Sequence, residues 1–247
     1  MSEILENALD SLRMGVGHFL NKKLTTADKW AILELFHTIE LLLKERLHRE
    51  NPLFIYKNID QPVGDDSYTV GLREALARFT NLDIEIPKEY AAILLDLQKR
   101  RNRIEHHRFV PDESHHHVLG EALKFIKYFI EEHLDEELEQ HLPAKHFEEV
   151  KTLILSYEEL VQRAESDARS ILDHFNPKER SLIDVEICPQ CGNESLVIGA
   201  GEEEDKCYFC DEQVVFARCW ECATPVSPDS LVGTICQNCF DYKMSRD

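Results

Sequence analysis

All eight cysteines of this 247-residue chain lie beyond residue 187, and all stand in Cys-x-x-Cys pairs: Cys188/Cys191, Cys207/Cys210, Cys219/Cys222 and Cys236/Cys239. A two-residue spacer turns the backbone tightly enough to aim both sulfurs at one metal ion, and Gly192 after the first pair can take the conformation that turn wants. This spacing is the signature of zinc rather than of disulfides, and thiols kept for metal imply a reducing compartment. Four pairs make two tetrahedral sites. Catalytic zinc keeps an open position, whereas four thiolates close the coordination shell, so the expectation is two structural Zn2+ ions per chain.

The simplest pairing joins Cys188 and Cys191 to Cys207 and Cys210, and Cys219 and Cys222 to Cys236 and Cys239, which resembles a double zinc ribbon. A cross-braced arrangement uses the same residues. Short β-hairpins are expected between the turns, at 196–198, 213–216 and 231–234.

Everything before the cysteines reads as helix. Ile4, Leu5, Ala8, Leu9, Leu12, Val16 and Phe19 form one amphipathic stripe, and Ile32, Leu33, Phe36, Ile39, Leu43 and Leu47 form a second. Thr25-Thr26-Ala27-Asp28 has the form of a capping box for that second helix. A short helix is expected near 69–79. Pro87 opens a helix running to about residue 105, and Asp112 or Ser114 caps the next. From Phe147 to Phe175 apolar residues alternate by three and four without a slip, so this long helix either packs on its own domain or pairs with a second subunit. The expected fold is mainly α: a helical domain over 1–136, a long connecting helix and linker over 137–180, and a small β-rich module over 181–247.

Two charges interrupt these stripes. Arg101 falls between Leu97 and Ile104 on the apolar face of its helix, and Glu40 interrupts the second stripe between Leu33 and Leu47. A buried charge requires a partner, so Arg101 and Glu40 are expected to face one another. Asn102 and His106 lie one turn apart beside Arg101, and His107 offers an alternative imidazole.

The run Arg101-Asn102-Arg103-Ile104-Glu105-His106, near the end of a helix and preceded by the helix containing Leu35-Phe36-His37-Thr38-Ile39-Glu40, resembles a HEPN domain over roughly residues 2–135. The resemblance implies an all-helical dimeric fold and metal-independent endoribonuclease activity through an Arg-x(4–6)-His motif, often in toxin or anti-phage defence systems. It implies that Arg101 holds the phosphate, that His106 moves protons and that Asn102 orients one or the other, with Glu40 fixing Arg101. Related toxins are silenced by modification of a tyrosine two residues after the histidine. The matching position here is Arg108, or Phe109 counted from His107, and neither carries a hydroxyl.

A net charge of −19 excludes a general nucleic-acid binder with a broad basic surface. RNA contact is expected only around Lys99, Arg100, Arg103 and Arg108, the one dense basic cluster. From Leu182 onward about 13 side chains are acidic and about 4 basic, a surface that repels phosphate and suits a protein partner. The first twenty residues contain no secretory apolar core and no later run is long enough for a membrane span, so a cytoplasmic location is expected. A non-catalytic HEPN scaffold, with the cysteine module recruiting a protein, is the competing functional class.

Overall fold

The computed structural model of the chain describes residues 2–21, 26–64, 66–107, 109, 114–181, 183–188, 191, 193–201, 205–211, 213, 217–221, 225–226 and 231–244. It divides into two compact units: residues 1–162, counted with the turn 189–192, and residues 163–188 with 193–247.

The first unit is built from helices. The first, α1 (Glu3–Leu20), starts at Ser2, whose hydroxyl accepts the Leu5 N–H at 3.1 Å and donates to the buried Glu45. Next comes α2 (Ala27–Glu50), the central element: it buries Ile32, Phe36, Ile39, Leu43 and Leu47, as their spacing predicted, while the expected Leu33 is only partly buried and Leu35 is buried in addition. Thr26 is its N-cap but makes no side-chain cap bond, so the expected capping box is not formed from Thr26; Thr25 lies outside the described residues. Gly15 lets α1 approach α2 closely, since a Cβ there would stand 2.9 Å from Leu35. A short 3-10 turn (Pro52–Ile55) leads on to α3 (Leu72–Asn81), which begins three residues later than the sequence suggested.

The motif helix α4 (Lys88–His106) starts after Pro87, which is the N-cap rather than the first helical residue. Its buried face carries Leu94, Leu97 and Ile104. Then follows α5 (Ser114–Leu134), whose capping by Asp112 lies outside the described residues. Rings seal this core: Phe79 and Phe129 stack at 6.0 Å, and the edge of Tyr90 meets Phe125 at 5.2 Å. Arg49 ties the bundle laterally, donating to Glu45 at 2.9 Å and to the Leu134 carbonyl at 2.6 Å.

After the short α6 (Leu138–His141) comes the long α7 (Ala144–Ile171). Its apolar stripe is used within the chain. Val150 and Ile154 belong to the core of the first unit, and Phe147 packs against it. Tyr157 donates to the buried Glu121 of α5 and sits over Gly120, where a Cβ would come within 3.3 Å of the tyrosine Cβ. The stripe's last residues serve the second unit, where Ala168 is buried with Ile183 and Val197 while Ile171, Leu172 and Phe175 pack around them. Of the two readings of the heptad pattern, packing on the same chain accounts for these buried positions.

The second unit contains the end of α7, a one-turn α8 (Pro177–Arg180) capped by Asn176, and three two-stranded antiparallel sheets among the described residues. The first sheet pairs β1 (Asp184–Ile187) with β2 (Glu194–Ile198). The others pair β3 (Ala217–Arg218) with β4 (Pro225–Val226), and β5 (Leu231–Val232) with β6 (Ile235–Cys236). A final helix, α9 (Gln237–Met244), follows. The expected strand at 196–198 lies within β2, and that at 231–234 is the β5–β6 hairpin turning at Gly233 with φ 70°. Of the expected strand at 213–216, residues 214–216 lie outside the described residues. The sequence reading passed over β1, although Asp184-Val185-Glu186-Ile187 alternates polar and apolar residues; the alternation runs for only four residues, none of them fully buried.

Candidate functional site

The last turn of α4 gathers Arg101, Asn102, Glu105 and His106. Leu97 and Ile104 anchor this turn to the bundle, but Arg101 is not enclosed with them. At the end of a helix a long side chain can lay its stem along apolar surface and carry its charge to the rim. Its guanidinium accordingly lies over the Phe36 ring, 5.6 Å from the centroid, with the side chain 32% exposed.

The expected pairing of Arg101 with Glu40 does not form. Arg101 Nη1 instead meets Glu105 Oε2 at 2.7 Å, one turn along the same helix, and donates to Asn102 Oδ1 at 3.0 Å. Glu40 is drawn to the start of α3, where its Oε1 accepts the Leu72 N–H at 3.3 Å. The physical cause lies at Gly71. As the N-cap of α3 it has no side chain to satisfy the free amides at this helix start, and two carboxylates, one from α2 and one from α3 itself, supply acceptors and complement the positive helix end. The second is Glu74, which accepts the Gly71 N–H at 2.7 Å; that bond, and then Lys57, hold its carboxyl below the usual carboxylate range.

Asn102 and His106 are exposed on the side of α4 away from the core. His107 is the C-cap, bonded through its backbone N–H to the Arg103 carbonyl at 2.9 Å, with its side chain exposed. Lys99 and Arg103 are exposed, whereas Arg100 is held by Asp96 at 2.6 Å in a largely covered bridge. Arg108 lies outside the described residues. The structure thus brings Arg101 and Asn102 into contact at the end of α4, leaves His106 exposed one turn after Asn102, and places Glu40 in another role. Glu105 escaped the sequence reading although its spacing from Arg101, four residues along a helix, is the spacing of a facing pair.

The cysteines form two clusters. Cys188, Cys191, Cys207 and Cys210 bring their sulfurs within 4.8 Å of one another, and Cys219, Cys236 and Cys239 do the same; Cys222 lies outside the described residues. The described cysteines therefore group in sequential order, not in a cross-brace. Cys188 and Cys210 have sulfurs 3.8 Å apart, far beyond the about 2.05 Å of a disulfide. That separation is close to the edge of a tetrahedron whose centre lies about 2.3 Å from each sulfur. Donors point at these sulfurs: the Cys210 N–H at Cys207 at 3.5 Å, and the Cys236 N–H at Cys219 at 3.2 Å. Ser195 Oγ lies 3.2 Å from Cys207 Sγ. Such donors favour thiolate, the form that ligates metal, so each cluster could hold a metal ion.

No helix among the described residues is long and apolar enough to cross a membrane. No protein-family model, no curated protein and no solved structure matches the chain.

Proposed function

We propose that the first unit is a HEPN-type endoribonuclease and that the second is a double zinc ribbon whose two zinc ions are structural. The observation that carries the nuclease reading is the end of α4, where the Arg101 guanidinium donates to Asn102 and His106 stands exposed one turn after Asn102, open to a polymeric substrate. In the proposed reaction the 2′-oxygen of a nucleotide loses its proton and attacks the adjacent phosphorus. The bond to the 5′-oxygen breaks, that oxygen takes up a proton, and a 2′,3′-cyclic phosphate remains. His106 carries one of the two protons. A second copy in a homodimer supplies the group for the other. The Arg101 guanidinium stabilises charge growing on the non-bridging oxygens, and Asn102, whose Oδ1 faces Arg101, is left with its amide hydrogens as donors. Lys99 and Arg103 steer the backbone. The setting is a cytoplasmic toxin or defence system.

The test is cleavage of single-stranded RNA in the presence of chelator, with product ends identified. His106→Ala and Arg101→Lys should each lose about 10²- to 10⁴-fold in rate while retaining helical circular dichroism, the second because an ammonium cannot reproduce the bidentate fork. A folded His106→Ala protein that cleaves as fast as wild type would sink this reading. Metal analysis should return about two zinc ions per chain, the number two tetrahedral thiolate sites require.

One observation favours a second reading, a scaffold that recruits protein. Trp220 is 84% exposed and Tyr242 60% exposed in a strongly acidic unit, and large rings are the usual anchors of protein interfaces. Under that reading His106→Ala changes nothing measurable, and Trp220→Ala abolishes partner capture.

A further inference from the structure

Resting on the nuclease reading, we infer that Glu105 attenuates RNA binding by occupying the Arg101 guanidinium with an anion of the protein's own. Nη1 of Arg101 already serves Glu105 at 2.7 Å and Asn102 at 3.0 Å, and one face of the guanidinium is turned to the Phe36 ring. A phosphate must either replace the Glu105 carboxylate or bind through the other guanidinium nitrogens with that carboxylate beside it. In both cases two anions compete for one cation.

The bridge is of the kind that can open. Arg101 and Glu105 are each about one-third exposed, 32% and 35%. The neighbouring Arg100–Asp96 bridge is more enclosed, at 19% and 13%, and belongs to the framework of the helix. Exposed pairs of the first kind change an equilibrium by at most about fivefold. That suffices to set a threshold for substrate without blocking the site. It also separates polymeric RNA, whose further phosphates can engage the exposed Lys99 and Arg103 elsewhere on the same helix, from mononucleotides, which bring too few to outcompete a tethered carboxylate.

Glu105→Gln keeps the side chain's size and an acceptor oxygen while removing the charge. The probe is a short fluorescein-labelled 2′-O-methyl oligouridine, which has no free 2′-hydroxyl and is bound without being cleaved. Full-length Glu105→Gln should bind it about fivefold more tightly than wild type. Combined with Arg101→Ala, the same substitution should bring no gain over Arg101→Ala alone. On cleavable RNA, kcat/KM should rise through a lower KM. Equal or weaker binding by Glu105→Gln, or absence of binding by either protein, overturns the inference. So does a gain that persists in the Arg101→Ala background, since it would be a general charge effect. A folded Glu105→Gln protein that loses cleavage overturns it in favour of a positioning role. Arg101-dependent tightening without cleavage by any variant leaves the attenuator standing and removes the nuclease reading.

Discussion

The two units solve the same problem with different materials. The helical unit encloses a continuous apolar core that includes Phe79, Phe125 and Phe129, whereas among the described residues of the second unit the apolar cluster is centred on Ala168, Ile183 and Val197. Apolar burial stabilises by about 25 cal/mol per Å², so a core that small leaves a module dependent on cross-links. Two cysteine clusters that could each hold a metal ion stand where such cross-links are needed. Under the proposed function one unit is held by many weak contacts that fail together, the other by a few strong ones that a chelator can remove.

The largest expected effect separates the units outright. Chelation, or Cys188→Ser, should melt the second unit's structure around its first cluster, because binding energy in structural zinc sites reaches on the order of 10 kcal/mol. Far-ultraviolet circular dichroism should keep most of its helical signal. If the helices melt with the metal, the units are one cooperative body and the contrast fails.

The converse experiment attacks the other core. Phe129→Ala should cost the helical unit about 3–5 kcal/mol while metal content per folded chain stays unchanged. Arg49→Met should cost less, about 1–3 kcal/mol, by removing the cationic partner of the buried Glu45 and a donor from the Leu134 carbonyl. Urea titration followed separately by helical signal and metal release reads both.

The smallest effect is a pH dependence confined to the helical unit. Burial, and then Arg46, push the His133 imidazole below its ordinary 6.5, so the folded state resists protonation. Its contribution is fully present above about pH 6.5 and is lost as the pH falls through that value toward the folded pKa, because the unfolded chain binds the proton first. Thermal midpoints of the helical unit should therefore decline over that window, and His133→Gln should flatten the decline.

What the sequence made legible follows the same division. The cysteine clusters are written locally: a Cys-x-x-Cys turn needs no knowledge of the rest of the fold, and the first cluster joins the first two pairs in chain order. The buried face of α4 was equally legible, since Leu94, Leu97 and Ile104 obey helical spacing. What each charge touches was not. Arg101 and Glu40 both interrupt apolar stripes, and opposite charges suggested a pair. The competing partner of Glu40 was a backbone amide at Leu72, invisible in the sequence until Gly71 is known to be an N-cap. The α7 stripe shows the same limit: periodicity marks which residues are buried and is silent about whether the surface opposite belongs to the same chain.

The crossing of α5 and α7 at Gly120 and Tyr157 extends to how this chain can diverge. With 3.3 Å between a notional Cβ at 120 and the tyrosine Cβ, a side chain at 120 requires the two helices to part by a few tenths of an ångström, and no residue at 157 other than glycine removes that contact. Position 157 also carries the hydroxyl that Glu121 accepts, so a smaller residue there surrenders a hydrogen bond as well as volume. The constraint therefore falls on position 120 itself, which in descendants of this sequence should stay glycine whatever side chain stands at 157.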